Sequence, residues 1–538
     1  MATHKLALIL KNSLNDDHFL LVKQSRPPKF DHEEYDSYVD SDLWDLPSAH
    51  LNPLQGESES QAAVEVADSH LEDINLKEFD ISSALNEVFD ELGFGAVSRG
   101  EWKFFKYVKE AAFGPGLPIH TLFITGTLAA EDKDLPDTCR WMSVQSCLNW
   151  LLEVKPCGDR VGPLAVVSLI SDSPAKWKVP PTINYQEFPP GVIIIPMGSR
   201  TVKPFRTTNL VVFAPEQVPS DFGDKNLIAC GDALIVDPGC LSEFHEELQK
   251  IVTALPKRLV VFVTHHHPDH VDGLSVIQRC NPDATLLAHE NTMRRIKRDD
   301  WSLGYTSVSG GEDIYIGDQR LRVIFAPGHT DGHMALHHVN THSLIVGDHC
   351  VGHGSAVLDI NSGGNMAEYF QTTYNFLELS PHSLIPMHGR VNLWPKQMLC
   401  GYLKNRRSRE ASILAAIEGG ARTLFDIVAN VYSDVDRRAW IPASWNVRLH
   451  VDYLAQQDKL PKDFSLETYN SSLVAFVDTD FSVQKFQNTC KLQFLSQWTL
   501  AYITGGFHLR KHPFRVAMAV SVAMAGFAVF YSVIKQAQ

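Results

Sequence analysis

Six consecutive residues, His265-His266-His267-Pro268-Asp269-His270, place imidazoles and a carboxylate in a His-x-His-x-Asp-His pattern. Deprotonated imidazole and carboxylate are the donors that zinc and similar divalent ions accept. A catalytic site needs several of them converging, with one position left open for water. Taken alone, the segment also admits a plainer reading as a solvated histidine-rich loop. Further donors stand in compact contexts: Asp237 in Val236-Asp237-Pro238-Gly239, His329 in Pro327-Gly328-His329-Thr330, Asp348 in Val346-Gly347-Asp348 and His388 in Met387-His388-Gly389. Each is weak singly, since an Asp at a strand end is most often a cap and a lone His most often a satisfied polar residue. In this order they form a set.

That set resembles the metallo-β-lactamase superfamily. The resemblance implies an α/β fold, an αββα sandwich that binds two divalent metal ions, Zn2+ or alternatively Mn2+, at one edge of its paired sheets. It assigns His265, His267 and His329 to the first ion and Asp269, His270 and His388 to the second. Asp348 corresponds to the bridging carboxylate, and Asp237 to the carboxylate that orders the ligand loop. The implied chemistry is hydrolysis: two ions roughly 3.5–4 Å apart share a water, lower its pKa towards about 7 and hold the hydroxide as nucleophile, with Asp269 as its ligand and orienter. A substrate carbonyl or phosphoryl oxygen would rest on the exposed metal, whose charge stabilises the oxyanion. His266, His333 and His353 are the nearest candidates for a leaving-group acid, and each is read as a supporting or surface histidine.

These residues need strand ends and short loops to hold them. Apolar runs predict strands at Val192–Ile195, Leu210–Phe213 and Ala233–Val236, a helix at Leu241–Leu255, and a strand at Leu259–Val263 that runs straight into the histidines. The expected metal-binding domain spans residues 192–400. A proline-rich segment, a linker or a lining segment, precedes it at 156–191, and helices are expected after it at Gln397–Gly419, Thr423–Val431 and Val447–Gln457.

From Phe325 to about Lys462 the chain also resembles the lactamase-beta-like subfamily that includes a single-strand endoribonuclease. The shared features are Pro-Gly-His-Thr-Asp-Gly-His-Met at 327–334, the short Asp348 to His388 interval, and the run Asn405-Arg406-Arg407-Ser408-Arg409-Glu410. A winged-helix-like domain over 401–490, passing through His450-Val451-Asp452-Tyr453-Leu454, is what this implies.

Residues 1–155 alternate short strands, including Lys5–Leu10, Phe19–Val22 and His120–Thr125, with amphipathic helices at Ser82–Leu92 and Ser143–Leu152. They resemble a degenerate Nudix domain. Glu78, Glu87, Val88, Glu91 and Gly93 fit its motif, whereas Asn86 replaces the arginine, Asp90 one metal-binding glutamate and Glu72 the first glycine. The resemblance implies a recognition or docking domain with poor nucleoside-diphosphate hydrolysis. An ordinary acidic helix is the alternative.

The 538 residues exceed what one core normally holds, and 44% apolar content excludes a disordered chain. A net charge of −15 argues against a surface that grips nucleic acid throughout, although a local patch such as Lys404, Arg406, Arg407 and Arg409 remains open. Nine scattered cysteines with no Cys-x-x-Cys spacing fit free thiols in a reducing compartment. Val516 to Ile534 is an uncharged run of 19 residues, so residues 514–534 are expected to form a transmembrane tail anchor. Arg510, Lys511 and Arg515 before it and Lys535 after it orient the catalytic domains to the cytosol. A buried helix of a soluble fold is the alternative.

A single-stranded RNA endonuclease is the expected function, favoured by the subfamily resemblance and the basic cluster. The alternatives are a thioester or acyl hydrolase of glyoxalase II type, favoured by the acidic charge, and a membrane-tethered binding protein with a residual metal site, which the complete donor set disfavours.

Overall fold

The computed structural model describes residues 2–471 apart from 55–63, 66–73, 95–100, 130–134, 154–157, 163–176, 178 and 216–225, and in addition Trp498. The apolar run at 516–534 lies outside the described residues. Among the described residues no helix is long and apolar enough to cross a membrane. The chain divides into two compact units.

The first unit, residues 1–327, 331–356 and 371–402, holds three sheets. Strand Thr3–Asn12 shows why the front sheet forms: Leu6, Leu8 and Leu10 enter one core while Ala7 and Ile9 enter another. Period-two alternation with both faces apolar calls for a cover on each side. Helix Ile81–Glu91 supplies one with Ile81, Ala84, Leu85, Val88 and Phe89, and helix Val144–Leu152 the other with Cys147 and Leu151. The first strand pairs parallel with Ile119–Leu128 and antiparallel with Asn15–Gln24. Strand Arg160–Val161 pairs with Leu43 and Trp44, so this sheet continues past residue 155.

The next two sheets face each other. One runs in the order Gln186–Glu187, Val192–Gly198, Thr207–Phe213, Ala233–Val236, Leu259–Phe262, Thr285–Ala288, Tyr305–Ser307. The other runs Leu227–Gly231, Asp313–Ile316, Gln319–Phe325, Met334–His338, Ser343–Gly347, Ser383–Pro386. Val192, Ile194, Phe213, Val236 and Phe262 from the first meet Ile314, Leu321, Val323, Leu336 and Ile345 from the second. At roughly 1.5–3 kcal/mol for each fully buried side chain, this contact is a main source of stability. On its outer face the first sheet turns Ile193, Ile195, Leu210 and Val261 towards Leu248, Ile251 and Val252 of helix His245–Ala254. Thr373 and Phe376 of helix Met366–Leu379 pack on His349 beside the second sheet. This is the expected αββα layering. The segment expected as a linker or lining supplies both the edge strand Gln186–Glu187 and the buried Trp177 and Ile183.

The second unit comprises, of the described residues, 328–330, 357–370, 403–471 and Trp498. Ile413, Ile417, Phe425, Val428, Trp440, Val447 and Val451 form its core. Helix Leu424–Val431 opens with a capping box in which Thr423 and Asp426 satisfy each other's backbone N–H. The last long helix runs Trp440–Gln456, starting seven residues before the expected Val447. Pro442 falls in its first turn, where a missing N–H costs nothing. Among the described residues, 401–471 contribute helices and no strands.

Candidate metal centre

Strand Ala233–Val236 ends in Asp237, a fully buried residue held at φ 49°, where few non-glycine residues sit. Its Oδ1 accepts the Thr264 N–H at 2.7 Å. Its Oδ2 accepts the Thr264 hydroxyl at 2.6 Å and the His270 Nδ1–H at 2.8 Å. Because the Thr264 hydroxyl is spent on Asp237, its oxygen accepts from His265 Nδ1 at 3.0 Å. One carboxylate thereby fixes the ring orientation of two histidines in the cluster.

The turn after Asp237 is pressed against the histidine loop. A Cβ on Gly239 would lie 1.9 Å from the Asp269 carbonyl oxygen, and one on Gly273 equally close to that of Pro238. Only glycine allows this approach, which carries the short helix Pro268–Val271 and with it Asp269 and His270.

Asp348 follows strand Ser343–Gly347, and His388 follows strand Ser383–Pro386. His388 Nε2 lies 3.4 Å from Asp269 Oδ2 and 3.3 Å from Asp348 Oδ1. His270 Nε2 lies 3.5 Å from Asp348 Oδ1 and makes no hydrogen bond. Beside them His265 Nε2 faces His267 Nδ1 at 3.0 Å. The fold therefore brings together the expected donors His265, His267, Asp269, His270, Asp348 and His388 from three separate segments.

Tautomers follow from the partners, since a carbonyl only accepts. His388 Nδ1 donates to the Thr207 carbonyl at 2.9 Å and His270 Nδ1 to Asp237, so both Nε2 atoms face the carboxylates. His329 is built in the second unit, where its Nδ1 donates to the Val357 carbonyl at 2.6 Å and leaves its Nε2 to other partners.

Burial alone would discharge these rings. Instead, Asp348 together with hydrogen bonds to Asp269 and Asp348 holds the His388 imidazolium up to about 10, and Asp348, Asp269 and Asp237 hold that of His270 well above its ordinary value. Burial would equally raise the carboxyls, but His388 and His270 keep Asp348 well below the usual range, and His270 and His388 bring Asp269 down to about 2. The two carboxylates thus demand positive charge in a buried space. The donor set and its fixed Nε2 atoms fit divalent cations there.

His333 is fully buried. Its Nδ1 donates to the Ala326 carbonyl at 2.9 Å, and its Nε2 accepts the Asp348 N–H at 3.1 Å. Burial, with His349 next, pushes its pKa down to about 3, so the ring is a neutral prop for Asp348 and not a proton donor. His353 is exposed and His266 half-buried. Sequence reasoning passed over Asn209, whose Nδ2 donates to the Pro386 and Gly389 carbonyls, both at 2.8 Å, on either side of His388. No local pattern marks such a residue. In the front domain Glu78, Glu87, Asp90 and Glu91, like Asn86, are exposed, and among the described residues no metal-type cluster forms there.

The basic cluster is largely spent on packing. In the second unit Arg406 lies over the Tyr369 ring at 4.8 Å, Arg407 over Phe370 at 4.1 Å and Arg409 over Tyr432 at 4.1 Å. Arg407 also pairs with Glu410 at 3.1 Å. Arg406 is buried and Lys404 is the exposed member.

Residues 227–383 match the family model of the metallo-beta-lactamase superfamily. A beta-lactamase-like protein 2 homolog of Drosophila melanogaster is 27% identical over 213 residues, covering 37% of this chain and 69% of that protein. A hydroxyacylglutathione hydrolase of Gloeobacter violaceus is 30% identical over 167 residues, 31% of this chain and 58% of that one. The lactamase-like protein adaB of Aspergillus niger is 27% identical over 159 residues, with 29% and 46% covered. The chain therefore spans about half the length of the last two relatives. Among solved structures, a beta-lactamase domain protein from Burkholderia ambifaria aligns with a TM-score of 0.44 at 18% identity, covering 54% of this chain and 94% of that one.

Proposed function

We propose that this metal-dependent hydrolase, whose residues 227–383 match the metallo-beta-lactamase superfamily model, uses two divalent cations to hydrolyse an acyl compound of the thioester class. The observation that carries the two-cation reading is the convergence of Asp269, His270, Asp348 and His388, with contacts of 3.3–3.9 Å, beside the facing rings of His265 and His267. In this reading His265, His267 and His329 would hold one cation and Asp269, His270 and His388 the other, with Asp348 available to both. Bound there, the cations supply Lewis acidity to a substrate oxygen and acidify a water.

The chain's own residues do the rest. Asp237 and Thr264 hold the rings of His265 and His270, neutral His333 holds the Asp348 backbone, and Asp269 presents its carboxylate to the reacting water.

Two observations favour an acyl substrate. The arginines that made an RNA surface attractive are stacked on rings of their own unit, and one relative is a hydroxyacylglutathione hydrolase. Single-stranded RNA is the second reading, supported by the likeness at 327–334 and 405–410 to the endoribonuclease subfamily. One assay separates the two: full-length protein, reconstituted with zinc or manganese, is given acyl-glutathione, acyl-CoA and single-stranded RNA. Cleavage of a thioester with RNA intact is the expected result. Cut RNA with untouched thioesters reverses the assignment.

The front domain in this reading is Nudix-like in fold and acts in recognition, and the helices after residue 401 are winged-helix-like. The tail at 514–534 acts as a cytosol-facing membrane anchor. Full-length protein is then expected to stay with membranes through alkaline carbonate extraction while a 1–508 truncation is released. Equal release of both would refute the anchor.

A further inference from the structure

The loop between front-domain strands Trp102–Lys109 and Ile119–Leu128 does not stay in its own domain. Ala111 and Phe113, each 1% exposed, are part of the core between the two facing sheets. Glu110 pairs bidentately with Arg390, Oε1 to Nε at 2.6 Å and Oε2 to Nη2 at 3.0 Å, and its side chain is only 15% exposed. Arg390 Nη2 also donates to the Leu117 carbonyl at 2.8 Å, so the guanidinium is tied to both ends of the loop. Arg390 stands two residues after His388. From the other side the Phe113 carbonyl accepts the Thr207 hydroxyl at 3.4 Å, and the Thr207 carbonyl is the acceptor that orients the His388 ring.

We propose that the front domain is a working part of the metal centre: loop 110–118 sets His388 through Arg390 and Thr207, and Glu110 is a positioning residue for the cation that His388 holds. The physical ground is that fork-to-fork arginine–carboxylate pairs are strong and directional, and this one is largely shielded from water. His388 lies on a turn where Gly389 adopts φ 90° and Gly352 approaches within 3.0 Å of the position a Gly389 Cβ would take. Such a turn has little regular structure of its own to fix it. Its position is held by Asn209 from within the sheet and by Glu110 from the front domain.

The proposal rests on the two-cation reading above, and its test separates the two. Metal-stripped full-length protein is titrated with zinc against a chromophoric chelator, in wild type, Glu110→Gln, Arg390→Lys and the double variant. Wild type is expected to take up two ions. In Glu110→Gln one of the two sites loses about ten- to a hundredfold in affinity, as removal of a supporting partner typically does, while the other site and the metal-free melting temperature stay put. Because Glu110 acts through Arg390, the double variant is expected to be no worse than the more affected single. Unchanged uptake by Glu110→Gln, equal weakening of both sites or additive losses would each overturn the proposal. Failure of the wild type to take up two ions would overturn both it and the two-cation reading.

Discussion

Replacing Asp269 by Asn, or His267 by Ala, removes hydrolysis while leaving the protein folded. Asp269 faces both His388 and His270, 3.4 and 3.9 Å from their Nε2 atoms, and His267 faces His265. Neither side chain belongs to a hydrophobic core, and both are half-buried. The loss is therefore of donors, not of packing. Supporting residues around metal sites already cost about 10–100-fold in affinity or activity, so loss of a direct ligand is expected to lower kcat/KM by at least on the order of a hundredfold. Melting temperatures are expected within a few degrees of wild type. Retained activity in either variant would remove the residue from the site.

The second large effect is on stability. Asp237→Ala leaves three buried donors, Thr264 N–H, the Thr264 hydroxyl and His270 Nδ1–H, without their acceptor. Each unsatisfied buried group costs about 1–3 kcal/mol, so a loss of roughly 3–9 kcal/mol is expected, a large share of the 5–15 kcal/mol typical of a domain. The φ of 49° adds to the cost, because alanine is less at ease there than Asp or Asn. Asp237→Asn keeps the backbone conformation and one acceptor oxygen and is expected to fall between. Thermal unfolding of metal-stripped protein reads this out. A shift of only a degree or two for Asp237→Ala would show that the carboxylate does not hold the loop.

Much of this arrangement could be read from local pattern. Strand Leu259–Phe262 is an apolar run ending in the histidines, and Leu6 to Leu10 alternates into two cores. What escaped the sequence depends on distant partners. Strand Gln186–Glu187 has no pattern of its own and exists because Ile193 and Ile194 pair with it. Asn209 gains its meaning from the carbonyls of Pro386 and Gly389, and Glu110 from Arg390, 280 residues away. The arginines at 406, 407 and 409 read as a local nucleic-acid patch because sequence spacing does not reveal the rings of Tyr369, Phe370 and Tyr432. Lysine or arginine clusters on a helix become surface charge or packing according to what lies opposite.

The most direct measurement is the metal content of the purified, hydrolytically active protein, by elemental analysis after removal of loosely held ions. Two divalent ions per chain are predicted for the wild type, falling to about one in His388→Ala, whose ring serves only the second site. A preparation that hydrolyses its substrate at full rate with no bound divalent metal would contradict the account.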